Sequence, residues 1–205
     1  MPKDKTLSHI KVNKAIKEEF LEKGFEAASI RGIGARAGMT SAGLYRHYTS
    51  KEAMFSAMVD PLINDIKEWT RKHTEKKQKM LDGDFDEEEL FDESFVDLIN
   101  MVILPKRDEF KLLMTCSRGT KYENFIRDYV SDGQMIFHDA IKRMREKRCI
   151  DKEIEEEELH VLFSAYITAC FEIIMYDCNG DKIEKYLNTL HDFFMPGWSK
   201  MMGFN

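Results

Sequence analysis

The hydrophobic positions of this chain recur with a helical period along most of its length. Val12, Ile16 and Phe20 are spaced i, i+4, i+8 with Ala15 beside them, while Lys11, Lys14, Lys17, Glu18 and Glu22 take the other face. That pattern predicts an amphipathic helix of about four turns, stopped at Gly24. Three further starts follow closely. Ser29 precedes a helix over 30–37, Thr40 one over 41–48, and Ser50 one that begins at Lys51, with Gly38 as the stop between the first two. Beyond them the pattern predicts helices over 51–79 (bent near Pro61), 87–103 (closed by Pro105), 106–117, 121–148, 153–178 and 182–202. Runs that alternate with period two are missing, so the expected fold class is all-α, with about nine helices in total.

Composition adds a charge question. The chain has 205 residues, 43% of them hydrophobic, with 31 Lys and Arg against 37 Asp and Glu, a formal charge of −6. This is a globular composition, with neither a run long enough to span a membrane nor a signal peptide, so no membrane association is expected and the cytoplasm is the expected compartment. An acidic total argues against nucleic acid only until it is divided. Residues 27–51 hold Arg31, Arg36, Arg46 and Lys51 and no carboxylate. Residues 1–60 hold 10 basic and 7 acidic residues, a net +3, which leaves −9 for the rest of the −6 total. The positive charge therefore lies where the short helices are.

Those short helices form a pattern. In Ile30–Tyr45 the apolar positions Ile33, Ala37, Met39 and Leu44 suit two helices crossing at a tight turn, Gly34 permits a close approach, and Gly38 supplies a positive φ. This is the spacing of a helix-turn-helix whose second helix enters the DNA major groove. Together with Lys23-Gly24-Phe25 before it, Leu44-Tyr45-Arg46-His47-Tyr48 within it and Ser50-Lys51-Glu52-Ala53-Met54-Phe55 after it, the segment over roughly 8–58 resembles the tetracycline-repressor-like (TetR) family of bacterial regulators. The resemblance implies a helix-turn-helix domain over 1–50 and a helical effector-binding and dimerisation domain over 51–205. It also implies DNA contacts at Arg31, Thr40, Ser41, Ala42, Gly43, Tyr45, His47 and Lys51, the last as a phosphate-binding lysine at a helix start. Two alternatives stay open, with Tyr45 partly in the core and His47 closing its helix. Arg36 reads as a solvated surface charge. Gly32 and Gly34 depart from the family pattern and should cost helix stability.

In the remainder, the helix over 153–178 is apolar on all faces. Leu159, Phe163, Tyr166, Cys170 and Ile173 form one seam, and Ile183, Leu187, Leu190, Phe194 and Trp198 form another in the last helix. The resemblance implies that these two helices pair with their copies in a homodimer, with Leu159, Phe163, Tyr166, Ile173, Ile183, Leu187, Leu190, Phe194 and Trp198 as interface candidates. The middle helices would enclose an effector pocket lined by Trp69, Met101, Phe110, Met114, Met135, Tyr166, Cys170 and Glu172. Plain core packing is the competing reading of each, and Glu172 reads as a salt-bridge or hydrogen-bond partner or as a ligand for a cation. The segment 82–97 carries nine acids without EF-hand spacing. The four cysteines, Cys116, Cys149, Cys170 and Cys178, lack metal-site spacing and read as reduced thiols, with a redox sensor as the sharper alternative.

The expected function is a homodimeric repressor that binds a double-stranded DNA operator and is released by a small-molecule effector. An activator or organiser controlled by a protein partner is the second reading. An enzyme or carrier with a DNA-binding head is the third, and no nucleophile–base pair, phosphate loop, metal site or cofactor motif supports it.

Overall fold

The computed structural model describes residues 5–82, 95–146, 154–176 and 180–202. Cys149, Cys178 and residues 83–94 of the acidic segment lie outside them. The described residues are helical and include no strand. The order is α1 (Lys5–Ala27), α2 (Ile30–Ala37), α3 (Ser41–Leu44), α4 (Lys51–Asp82), α5 (Phe95–Leu98), α6 (Arg107–Thr115), α7 (Phe125–Glu146), α8 (Glu156–Met175) and α9 (Gly180–Met202). After α5 the chain continues through a π-helical segment, Ile99–Ile103, and a 3-10 turn, Leu104–Lys106. Pro105 lies in this change of winding, where a missing N–H removes one bond of a regular ladder.

The helices gather into two compact units. The first holds the described residues up to Asp65 together with Lys106–Phe125; the second holds Ile66–Pro105 and the described residues from Ile126 onward. The first unit thus extends past the 1–50 head expected from the sequence. Its core explains the extension. Phe20, Phe25 and Phe55 pack with ring centroids 5.2–5.8 Å apart, and Tyr122 adds a fourth ring 5.9 Å from Phe55. Phe110 on α6 is fully buried, and Lys17 reaches Glu109 at 2.5 Å. α1 is broken at Gly24, whose φ of 73° only glycine adopts readily. The break frees the N–H of Phe25, which donates to Cys116 O at 2.9 Å.

In the second unit, Ile141 and Met144 of α7, Leu159 of α8, and Trp198 and Met202 of α9 form a buried cluster, with Phe137, Phe163 and Phe194 packed against it. A second group of rings joins Phe95, Tyr129, Tyr166 and Phe171. α8 is long and apolar enough to cross a membrane by length and composition, and only a third of that stretch is buried. Three glutamates, Glu156, Glu157 and Glu158, occupy its first turn, and its inward face is filled by Leu159, Tyr166, Ile167, Cys170, Phe171 and Ile174.

Candidate nucleic-acid interface

α2 is closed at both ends by its own sequence. The Ser29 side chain accepts from Gly32 N at 3.0 Å. At the far end Gly38 has φ 63° and ψ 37°; its N–H donates to Ala35 O and the N–H of Met39 donates to Gly34 O at 2.9 Å. These two bonds are a Schellman ending, and they set the direction in which the chain leaves α2. Thr40 then caps α3, its hydroxyl accepting from Gly43 N at 3.1 Å. α3 is shorter than the 41–48 expected. After Leu44 the chain tightens, with Arg46 N bonding Gly43 O and His47 N bonding Leu44 O.

The two glycines that look costly in α2 have a steric reason. A Cβ on Gly32 would lie 2.2 Å from Glu19 Oε1, and one on Gly34 would lie 2.7 Å from Met39 O. Glu19 of α1 is fully buried beneath α2. Its carboxylate accepts from Lys23 at 2.8 Å, from Arg36 Nε at 2.8 Å and from Ser29 N at 3.4 Å. In an ordinary capping box the residue three after the cap reaches back to the cap N–H. Here that position is Gly32, and a carboxylate from another helix takes the same place. Burial pushes the Glu19 carboxyl up, but the bonds from Lys23, Arg36 and Ser29 outweigh it and hold the group below its ordinary 4.5.

Arg36 is at the surface as expected, but it is not a lone charge. It is bonded to Glu19 and Glu22 and lies 4.0 Å from Glu18. Lys51 is also engaged. Its ammonium donates to the carbonyls of Phe25, Ala28 and Glu26 at 2.7, 3.1 and 3.3 Å, and lies 4.5 Å above the Phe25 ring. It thereby closes the carbonyls freed by the Gly24 break. The phosphate role expected for Lys51 is in competition with this structural one.

What remains on the surface is a compact set. Arg31, Thr40, Ala42, Tyr45 and Arg46 are exposed, and Ser41, Gly43 and His47 are half-buried. Tyr45 is 50% exposed, which removes it from the core. Among the described residues neither Arg31 nor Arg46 is ion-paired. The sequence reading passed over two contributors from α1. The His9 ring lies 5.8 Å from His47 and is stacked on Tyr48, and Tyr48 donates to Asn13 Oδ1 at 2.6 Å. The signal for His9 was its place one helical turn before Val12 and Asn13, at the open end of the helix that underlies α2.

Residues 14–58 match the model of the bacterial regulatory proteins, tetR family. Over those residues the chain is similar to that family. A curated relative, the HTH-type transcriptional activator FasR of Mycolicibacterium smegmatis, is 29% identical over 84 residues. That match covers 39% of this chain and spans 37% of the relative. Among solved structures, the TetR-family regulator PfmR of Thermus thermophilus aligns over 90% of this chain and 97% of its own, with TM-score 0.59 and 17% identity. NalD of Pseudomonas aeruginosa, secondary repressor of a multidrug efflux pump, aligns over 93% and 97%, with TM-score 0.54 and 17% identity. At such identities these two establish the shared fold.

The second unit contains a cavity of about 200 Å³ between α4, α5, α7 and α8. Of the expected pocket residues only Trp69 lines it. Met101 and Met135 are 73% and 69% exposed, because they fall on outer faces of their helices. Phe110 and Met114 belong to the first unit. Tyr166 and Cys170 are buried in the core behind Phe95. Glu172 is exposed, so solvent rather than a partner satisfies its charge in the single chain. The rings that do line the cavity are Phe95, Tyr129, Phe137 and Phe163. Their trace in the sequence was Tyr129, Gly133 and Phe137 at four-residue steps, since a Cβ on Gly133 would meet Phe163 Cζ at 2.9 Å. Among the described residues no group of His, Cys, Asp and Glu could hold a metal ion. Burial raises the Cys170 thiol to about 12 and keeps it protonated, which argues against a reactive thiolate there.

The expected dimer seam also needs correction. Leu159, Tyr166, Ile183, Leu187 and Trp198 are at most 6% exposed within the single chain, so they form its core and are not open to a partner. Phe163, Ile173, Leu190 and Phe194 are half-buried beside them. The exposed apolar residues of α8 and α9 lie on the other faces, at Val161, Leu162, Tyr186 and Phe193.

Proposed function

We propose that the chain is a cytoplasmic, homodimeric transcriptional regulator that reads double-stranded DNA through α3 and answers a small molecule held in the second unit. The observation that carries this reading is the helix-turn-helix itself, with two crossing helices locked by the Gly38 turn. On its surface lie the exposed Arg31 and Arg46 with Thr40, Tyr45 and Ala42. Backbone contact by the two arginines positions the head, and Ser41, Ala42 and Tyr45 meet base edges. Gly43 lets the α3 backbone come close, and His47 with His9 extends the face. For the dimer, Val161, Leu162, Tyr186 and Phe193 are the support. Phe193 is 77% exposed, an unusual placement for a large ring on an amphipathic helix.

The direction of regulation is not carried by the fold, since the similar proteins include both an activator and a repressor. The test is selection of bound duplexes from a random pool by the purified protein. A palindromic site with half-sites about one helical turn apart is expected, and Arg46→Ala should weaken binding to it. A pool that yields no enriched site, or a protein that sediments as a monomer at micromolar concentration while binding DNA, would sink the reading.

A further inference from the structure

The first unit contains two histidines, and the structure sets them side by side. His9 belongs to α1 and His47 to the turn after α3, yet their ring centroids lie 5.8 Å apart. His73, His138, His160 and His191 all fall in the second unit. The pair is held from one side. Tyr48 stacks on His9 at 5.8 Å and donates its hydroxyl to Asn13 Oδ1 at 2.6 Å, so the stack is tied to α1 at both ends. Burial pushes the Tyr48 phenol up, so Tyr48 stays neutral over the pH range in which imidazoles change charge. The other side is open. His9 is exposed, and the half-buried His47 follows directly on the exposed Tyr45 and Arg46.

The elements that hold the pair supply cations. α1 carries Lys5, Lys11, Lys14 and Lys17 before its first carboxylate, Glu18, and no carboxylate lies from residue 27 to residue 51. Lys11 Nζ stands at the Gly38 turn, Lys51 sits on the carbonyls of Phe25 and Ala28, and Arg46 adjoins His47. The acids that flank these stretches answer other cations. Glu18, Glu19 and Glu22 face Arg36, Glu26 faces Arg118 at 3.5 Å, and Glu52 acts on Lys121. An imidazolium has two N–H donors, and two of them at this separation repel. With carboxylates committed elsewhere, an anion from outside the chain is what balances protons on the pair. One phosphate set against both rings accepts a charge-assisted bond from each and cancels their repulsion.

We infer that His9 and His47 together bind one backbone phosphate of the operator and take up protons as they do so, which makes DNA binding tighter at lower pH. The new contact is His9, which comes from a helix outside the helix-turn-helix. This rests on the proposed reading of the first unit as the DNA-binding head and adds to it a residue and a proton. The sign follows from linkage: the complex holds more protons than its free parts, so affinity rises as pH falls through the imidazole range.

Fluorescence anisotropy of the full chain on its selected operator, at fixed salt, tests this. Kd should fall about tenfold or more between about pH 8 and about pH 6. Calorimetry in buffers of different ionisation enthalpy should show about one proton taken up per head near neutral pH. His9→Asn should remove about half of the pH dependence on a logarithmic scale, and the double variant with His47→Asn nearly all of it. His9→Lys, a fixed cation, should bind more tightly than His9→Asn at about pH 8 and lose the same share of the pH dependence. His9 is exposed, so its two variants decide if His47→Asn does not fold. Binding that ignores pH, or weakens as pH falls, overturns the inference and leaves the DNA-binding reading standing. A pH dependence that both His9 variants keep in full also overturns it, because the protons then belong elsewhere. A chain that enriches no operator overturns both.

Discussion

In the first unit the buried carboxylate of Glu19 is met by Lys23, Arg36 and the N–H of Ser29, whereas in the second the buried hydroxyl of Tyr166 has the Cys170 thiol beside it and no cation. The contrast extends to other groups. The first unit places Lys51 on three carbonyls, Tyr48 on Asn13 and Tyr122 on Asp60 at 2.5 Å. The second is held by ring on ring, leaves His191 Nδ1 buried without a partner among the described residues, and contains a partly open cavity. Directional bonds fix a unique geometry, which the proposed match to DNA requires. Ring packing around a void is less directional and leaves room for a guest. The difference teaches that the basic residues of the proposed DNA-binding head are not all available to DNA. Of the four in the acid-free window, Arg36 and Lys51 are bonded within the unit, to carboxylates and to carbonyls, while among the described residues Arg31 and Arg46 are exposed without an ion pair.

The comparison can be broken experimentally, starting with Glu19. Glu19→Gln keeps the volume and removes the charge that Lys23 and Arg36 answer. It should destabilise the first unit by about 2–3 kcal/mol, less than a fully buried pair loses because both cations reach solvent. Hydrogen exchange of the α2 amides reads this directly. The pH dependence has a defined sign. The folded Glu19 carboxyl lies below its ordinary 4.5, so its stabilisation is present above that value and is lost as pH falls through the lowered folded pKa. Protection of α2 that stays constant through acidification would contradict the buried network.

Gly32→Ala comes next, because propensity and packing predict opposite signs. Helix propensity alone favours alanine by about 1 kcal/mol. The Glu19 carboxylate 2.2 Å from the new Cβ reverses this, and a net loss of about 1–2 kcal/mol is expected in chemical denaturation. Gly34→Ala should lose at least as much, since the atom it meets is the Met39 carbonyl of the backbone, which cannot swing away. A stabilised Gly32→Ala protein would show that Glu19 does not occupy the space above α2.

Lys51→Met and Arg46→Ala separate a folding cation from a DNA cation. The first should cost about 1–2 kcal/mol of stability and leave the salt dependence of DNA binding unchanged. The second should leave stability within about 0.5 kcal/mol and lower the salt slope by about one. The reverse outcome would restore the phosphate role to Lys51. The smallest effect is expected in the second unit. A Cβ on Gly197 of α9 meets nothing within 4 Å, so Gly197→Ala should stabilise the chain by about 0.5–1 kcal/mol in thermal melts. A loss of dimer in sedimentation instead would place Gly197 at the contact between copies.

Much of this was legible in the residues. The helical periodicity, the caps at Ser29 and Thr40 and the left-handed turn at Gly38 are local, and local rules suffice to read them. So does the charge split that marks the head. The partners of Arg36 and Lys51 were not legible, because Glu19 is 17 residues away and the carbonyls of 25–28 more than 20, and sequence spacing does not rank such contacts. The seams of the last two helices were read correctly as apolar, but an apolar stripe does not say whether its own chain or a second copy covers it. Leu159 and Trp198 went to the core, and Phe193 stayed outside.

The sequence by itself determined the class of the fold, the resemblance of its first residues to a known family and the position of the helix-turn-helix, because each is written in spacings of a few residues. Only the tertiary structure decided that Gly32 makes room for a carboxylate, that two of four cations are bonded within the first unit, and that the cavity is walled by Phe95, Tyr129, Phe137 and Phe163. These are contacts between helices distant in sequence, and their energies depend on which side chains the packing brings within a few ångströms of each other.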